Sequence, residues 1–497
     1  MLHTTPYDLL VIGGGINGAG IARDAAGRGL RTLLVEQADL ASATSSTSSK
    51  LIHGGLRYLE HYEFRLVRES LKERDALLAI APHVARPMRF VLPHPADAPR
   101  PAWLVRLGLF LYDLFALESR LPRTRGLDLR RDPEGAPLRE TLGRGFAYSD
   151  CWVDDARLVV GNVLDAARRG ATVMVRTRMA RAEREGSLWR AVLRDAEGRE
   201  QTAAARAVVN VAGPWAADVL GAAIGVRADK RLTLVKGSHI VVPANTPLDS
   251  AYILQNIDRR VVFVIPFEEK FNLIGTTDVP YRGDPARAAC TPEEAEYLCA
   301  AVARYFRRPP TSADAVWSFA GVRPLLDDQK ADPSKITRDY TLELDGGDGI
   351  PPLLTVFGGK LTTYRRLAEK ALARLAPFFP GMGPEWTGGA PLPGGDFGGR
   401  DTDDVFADLA RAYPGIGPEA LRGIFRRHGT LARDVLGDAR SQADLGTGFG
   451  GGLFAREVDY LKTTEWARTA DDVLWRRTKC GLHMSGAERA AFAAWFK

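Results

Sequence analysis

The chain has 497 residues, 45% hydrophobic and 26% charged, with 67 basic against 61 acidic side chains for a net charge of +6. That length exceeds one ordinary core, so two or three domains are expected, and the balance excludes a disordered chain. No run approaches the roughly 20 apolar residues of a spanning helix, and no nucleic-acid motif accompanies the basic excess, which leaves acidic lipid or a phosphorylated small molecule as the anionic partner.

Met1–Tyr7 is too short and too polar for a signal peptide. Tyr7–Ile12 (YDLLVI) predicts a buried parallel strand, followed at once by Gly13, Gly14, Gly15, Ile16, Asn17 and Gly18, a GxGxxG turn. Such glycines let backbone amides approach a pyrophosphate at the N-terminus of a helix, here predicted over Ala19–Arg28. A second strand, Thr32–Val35, ends at Glu36, where an acid would accept hydrogen bonds from ribose hydroxyls. An NAD dehydrogenase would continue with further strand–helix units. This chain runs instead into the hydroxyl-rich Ala41–Lys50, whose small side chains suit a loop around a diphosphate and ribityl chain, although composition alone also fits a linker.

Pro101–Arg131 packs Trp103, Leu104, Val105, Leu107, Leu109, Phe110, Leu111, Tyr112, Leu114, Phe115 and Leu117 into one stretch, followed by Arg120, Arg123, Arg125, Arg130 and Arg131. It reads either as an amphipathic helix lying in a membrane interface or as a core helix with a solvated basic loop. Asp154 and Asp155 suggest paired acids, but capping of a helix over Ala156–Ala167 is the preferred reading. Ala207–Ala212 is an apolar strand that ends at Gly213-Pro214-Trp215. Leu353–Phe357 is another, leading through Gly358–Tyr364 into a helix to Leu375 whose N-terminal amides would favour a negative charge. Gly388–Gly399 is a Gly/Pro-rich linker. The four cysteines, Cys151, Cys290, Cys299 and Cys480, form no CxxC pair, so neither a disulfide framework nor a thiolate metal site is expected, and Asp345–Gly349 lacks calcium-ligand alternation.

Read onward, the hydroxyl-rich loop becomes Ser48–Leu59, SSKLIHGGLRYL. This run resembles the signature of the FAD-dependent (aerobic, respiratory) glycerol-3-phosphate dehydrogenase family. Further matching blocks follow in the family's order at Tyr148–Leu158, Lys236–Pro243, Gly275–Val279, Gly321–Leu325 and Phe357–Tyr364. The resemblance implies an α/β fold: a glycine-oxidase-like FAD-binding Rossmann domain interleaved with a sheet-based substrate domain, plus a helical C-terminal cap. Residues 1–80, 148–215 and 351–388 would form the FAD domain, 81–147 and 216–350 the substrate domain with a membrane-facing segment at 101–131, and 389–497 the cap.

The implied reaction is oxidation of sn-glycerol 3-phosphate to dihydroxyacetone phosphate by hydride transfer from C2 to FAD, with electrons passed to a membrane quinone. Alternatives are an oxygen-using glycerol-3-phosphate oxidase, a related amino-acid oxidase and a non-catalytic FAD binder. Oxidising a secondary alcohol needs a hydride acceptor, a base and a grip on the substrate. The family blocks imply Arg57 and Lys360 at the phosphate, Tyr58 and Thr276 as hydrogen-bonding support, Arg323 at the reacting oxygen and His239 as base, with Arg323 and Lys360 sharing catalytic roles. The cofactor would be held by Gly13, Gly14, Gly15, Ile16, Asn17, Gly18, Glu36, Thr44, Ser45, Ser46, Ser49, Lys50, Leu51, His53, Gly213, Gly359, Lys360, Leu361 and Thr362. A lone histidine is more often packed than catalytic, and His53 is preferred as a flavin-loop residue over a rival base. Expected partners are glycerol 3-phosphate, quinone and an anionic lipid surface on the cytoplasmic face of the inner membrane, without nucleic acid; a homodimer is compatible with the family.

Overall fold

The computed structural model describes residues 5–497 except 57, 58, 60, 61, 99, 227–231, 246, 259, 327–339 and 348. The apolar run Tyr7–Ile12 is a central strand whose residues Leu9–Ile12 lie parallel to Ala207–Asn210 on one side and Thr32–Val35 on the other. Parallel pairing continues outward to Ile350–Phe357 and to Thr172–Met174. A sheet covered on both faces needs apolar side chains in both directions, which is why these strands read as unbroken apolar runs. On one face pack the helices Ile16–Gly27, Asp155–Arg168 and Tyr364–Leu375, joined in one cluster with Leu9 and Val11. The antiparallel strands Thr177–Glu185 and Leu188–Asp195 contribute to the cluster on the other face, where Trp189 is buried beside Leu10, Leu33 and Val208.

The second sheet is larger and mostly antiparallel. Its order runs from Val279–Pro280 through Leu232–Pro243, Phe271–Gly275, Val261–Phe267, Ala251–Gln255, Ala85–Pro93 and Arg144–Val153 to Leu51–Ile52, with Trp317–Leu326 also on Leu232–Pro243. Hydrogen-bond partners assign strands more finely than the expected segment ranges. Leu51–Ile52 and the whole of Arg144–Val153 belong to this second sheet, whereas Thr341–Gly347 belongs to the first as a hairpin on Ile350–Phe357. Each crosses an expected boundary because an extended segment must satisfy its backbone groups on whichever edge it meets.

The helix in the apolar stretch covers Ala102–Phe115 only. Its inward face sets Leu109 and Tyr112 against Phe90, Tyr148 and Ile265. The basic tail is not part of it. Arg125–Asp128 is a strand on Arg144–Val153, and Arg125 is 2.5 Å from Glu134. Tyr112 donates its hydroxyl to Asp150 at 2.7 Å and accepts from the Gly54 amide at 2.9 Å, which ties this helix to the signature loop.

After 389 the chain builds helices at Thr402–Ala412, Pro418–His428, Ala455–Thr464 and Gly486–Phe496 around apolar clusters of their own. A buried charged seam fastens them to the rest. Arg477 holds Asp39 at 2.7 and 2.8 Å, Arg476 reaches the same carboxylate at 2.6 Å, and Arg176 meets Asp472 at 2.8 Å. Deeper in the seam, Arg157 pairs with Glu465, and Lys479 with Asp154. Removing one partner of such a pair strands the other charge without solvent, at about 3–5 kcal/mol. Asp39→Ala is therefore expected to lower unfolding stability by about 3–5 kcal/mol in urea titrations. A change below about 0.5 kcal/mol, typical of surface substitutions, would mean that the seam does not hold the C-terminal region.

Candidate active site

Between the two sheets lies a cavity of about 1450 Å³. Its upper wall is the nucleotide-type turn. The helix Ile16–Gly27 starts at Gly15, and its Ile16 amide donates to Ser45 Oγ at 3.0 Å. The glycines are there for close approach: a Cβ on Gly18 would lie 1.9 Å from the Gly13 carbonyl oxygen, and one on Gly14 would lie 2.8 Å from Glu36 Cβ. Glu36 accepts from the Gly14 amide at 2.6 Å and from Ala38 at 2.8 Å, which leaves each carboxylate oxygen a further lone pair for a ribose hydroxyl. Burial pushes its pKa upward. Asn17 donates to the Gly358 carbonyl at 3.3 Å, while its own Oδ1 is buried without a partner.

Gly13, Gly15, Ile16, Asn17, Glu36, Thr44, Ser45, Ser49, Leu51, His53, Gly213, Gly359, Lys360, Leu361 and Thr362 line this cavity, as do Thr276, His239 and Arg323. Gly14, Gly18, Ser46 and Lys50 do not. The first two pack behind the turn, Ser46 gives its carbonyl to Lys50, and the Lys50 side chain turns into the core, where it meets Asp155 at 2.8 Å with both groups fully buried. Lys50 thus anchors the loop. Asp155 also accepts from the Ser48 amide and hydroxyl, at 3.2 and 2.7 Å, and Asp154 caps the following helix by accepting from the Arg157 amide at 3.1 Å. Arg57 and Tyr58 lie outside the described residues.

The floor is a row of residues paired across the second sheet: Phe319, His239, Gly275, Phe263 and Ile253 stand side by side in register. Directly paired residues point to one face, so this row presents its side chains together. His239 stacks on Phe319 with ring centroids 4.9 Å apart, and its ring occupies the space over Gly275, where a Cβ would meet Cδ2 at 2.0 Å. Burial, then the charges of Lys50 and Arg323, hold its pKa down to about 3, so the imidazole is neutral near pH 7.

Arg323 lies across Gly237, whose missing Cβ leaves room for the guanidinium, and it pairs with Asp278 at 2.8 Å. The loop and the floor are joined by Thr44, which donates to the Val322 carbonyl at 2.7 Å. Gly275, Phe319 and Asp278 were not singled out from the sequence. Gly275 and Asp278 stand inside the quoted GTTDV block, and their role follows only from what lies across the sheet.

These features fit a flavin dinucleotide. The glycine cradle, the Glu36 carboxylate and the orphaned Asn17 oxygen suit its phosphates, ribose and polar edges, and the cavity continues past them to a basic, histidine-bearing floor. Residues 8–365 match the family described as FAD dependent oxidoreductase, and residues 386–494 match the C-terminal domain of alpha-glycerophosphate oxidase. The chain is 53% identical to the glycerol-3-phosphate dehydrogenase of Pseudomonas aeruginosa, over 97% of this chain and 93% of that one. It is 52% identical to the D-erythritol 1-phosphate dehydrogenase of Brucella abortus, over 100% and 99%. The crystal structure of a glycerol-3-phosphate dehydrogenase from Bacillus halodurans complexed with FAD superposes with a TM-score of 0.74 at 28% identity, covering 99% of this chain and 94% of that one.

The buried Lys50–Asp155 pair gives a direct test of how the loop is held. Asp155→Ala is expected to destabilise the protein by about 3–5 kcal/mol and to lower the flavin-to-protein absorbance ratio, whereas Ser46→Ala should retain flavin. Full flavin retention in Asp155→Ala would show that the loop is ordered without the pair.

Proposed function

This chain belongs to the FAD-dependent oxidoreductases and, among them, to the glycerol-3-phosphate dehydrogenase family, and we propose that it oxidises the secondary hydroxyl of sn-glycerol 3-phosphate to the ketone of dihydroxyacetone phosphate. The observation that carries this reading is the presence of a neutral histidine, His239, and a fixed guanidinium, Arg323, in the same cavity as the flavin-type loop. FAD, when bound, supplies the hydride acceptor. The chain's own residues do the rest. Lys360 and Arg57 take the substrate phosphate, which a charge-assisted contact binds more tightly than a neutral one. Tyr58 and Thr276 add hydrogen bonds. Arg323 polarises the reacting oxygen and stabilises alkoxide character, with its guanidinium aimed by Asp278. His239 receives the hydroxyl proton.

The Brucella relative supports a second reading, a four-carbon polyol phosphate, since identity to it is nearly the same and spans the whole chain. Anaerobic reduction of the flavin by glycerol 3-phosphate, by D-erythritol 1-phosphate and by an amino acid, monitored as bleaching of the yellow absorbance, decides among these. Reoxidation by a short-chain quinone rather than oxygen is expected. Arg323→Ala should slow flavin reduction by the phosphate ester tenfold to a hundredfold, about 1.5–3 kcal/mol for a charge-assisted contact to the developing alkoxide. An unchanged Michaelis constant and reduction rate would remove Arg323 from the site.

We also place the enzyme on the membrane, through the outward face of Ala102–Phe115. No helix among the described residues is long and apolar enough to cross a bilayer. On this one Trp103 is 67% exposed and Phe110 58%, with Leu104, Leu107, Leu114 and Leu117 exposed beside them. A helix apolar on both its buried and its solvent side fits an interfacial anchor. The four cysteines are unpaired, which suits the reducing cytoplasmic face of the inner membrane. Leu109 is fully buried and belongs to the core, so serines at Trp103, Leu107, Phe110 and Leu114 are the informative change. This variant is expected to stay in the supernatant when anionic vesicles are sedimented, while its flavin is still reduced by substrate. Unchanged sedimentation would put the anchor elsewhere.

A further inference from the structure

The two ring nitrogens of His239 are differently placed. Nδ1 is buried and has no hydrogen-bond partner. Nε2 lies 2.9 Å from Ser49 Oγ. The ring is closed on one side by Phe319, and its Cδ2 edge fills the place of the Cβ that Gly275 lacks. Ser49 itself is half-buried and lines the cavity. It is also held firmly, because its neighbours Ser48 and Lys50 are both bonded to the buried carboxylate of Asp155.

Resting on the alcohol oxidation proposed above, we infer that Ser49 is a catalytic residue: its hydroxyl takes the proton of the substrate alcohol while handing its own to Nε2 of His239. The bookkeeping of bonds is complete. The substrate O–H breaks as a new O–H forms on Ser49, the former Ser49 O–H breaks as Nε2–H forms, and the hydrogen on C2 leaves with its two electrons to the FAD of that reaction, so that C2–O becomes a carbonyl. Ser49 ends unchanged and His239 ends as imidazolium. The neutral ring must then carry its hydrogen on Nδ1, with Ser49 donating to Nε2. Burial and the facing charges of Lys50 and Arg323 keep the proton affinity of the ring low, so it gives the proton up again as the product leaves.

The test combines kinetics with spectroscopy on the flavin-loaded protein. Ser49→Ala is expected to slow anaerobic flavin reduction by about 10²–10⁴-fold, the usual range for acid–base assistance, with little change in half-saturation. Ser49→Thr, which keeps the hydroxyl, should recover most of the rate. Because the two residues act as one unit, Ser49→Ala combined with His239→Ala should be no slower than the slower single variant. Losses that multiply, or a Ser49→Ala enzyme reduced as fast as the unmodified one, would overturn the relay. Flavin content is measured for each variant, and Ser49→Cys replaces Ser49→Ala if the latter does not retain flavin. Nitrogen-15 spectra of His239 should show Nε2 as the hydrogen-bond acceptor, a signature lost in Ser49→Ala. A hydrogen found on Nε2 would exclude the relay whatever the substrate. Failure of the unmodified enzyme to be reduced by either phosphate ester would instead count against the proposed substrate and leave the spectroscopic test to decide the relay.

Discussion

A single buried carboxylate, Asp155, organises the site. It accepts from the Ser48 amide, the Ser48 hydroxyl, the Lys50 ammonium and the Ala156 amide. A lysine and an aspartate are costly to bury, and the cost is offset only when every lone pair and proton has a partner. Here the partners all come from one loop and the first turn of one helix. The loop that faces the cofactor cavity is thereby fixed to the helix face of the first sheet, and Lys50 is held with φ of 57°, a left-handed conformation unusual for a side chain of its size. Ser49 stands between the two anchored residues with its hydroxyl toward His239.

The second sheet meets this loop with a floor whose small residues matter as much as its large ones. Gly275 makes room for the imidazole and Gly237 for the Arg323 guanidinium, so two charged or ionisable groups lie flat on a sheet that otherwise presents Phe263, Phe319 and Ile253. An apolar floor keeps the histidine neutral, and the nearby cations reinforce that effect. Fold and electrostatics therefore act in the same direction: the sheet that buries His239 also keeps its imidazole neutral.

Much of this was legible in local sequence. The strand, glycine turn, helix and second strand ending at Glu36 follow one another within thirty-odd positions, and each is set by neighbours close in the chain. What local reading missed depends on partners far away. The buried Lys50–Asp155 pair is one such case, since Asp155 stands 105 residues on. The strand Arg125–Asp128 is another, because its partner Arg144–Val153 lies beyond the stretch itself. Leu109 could not be told from Phe110 by composition, since the helix is apolar on both faces and only its packing on Phe90 and Tyr148 separates inside from outside. The allocation of Leu51–Ile52 and Thr341–Gly347 to their sheets likewise rests on edge pairing that periodicity does not encode.

The order of strands in the first sheet also dates the site within the life of each molecule. Tyr7–Ile12 needs Glu200–Asn210 beside it, and that strand in turn needs Ile350–Phe357. Asn17 is bonded to Gly358, 341 residues later. A ribosome adding roughly 5–20 residues per second therefore exposes the glycine turn for tens of seconds before its last neighbour is made. Until Glu200–Asn210 is made, the first strand is an apolar edge with only Thr32–Val35 beside it, the kind of edge on which nascent chains aggregate. The dinucleotide site, though written at the very start of the chain, is among the last parts of it to exist.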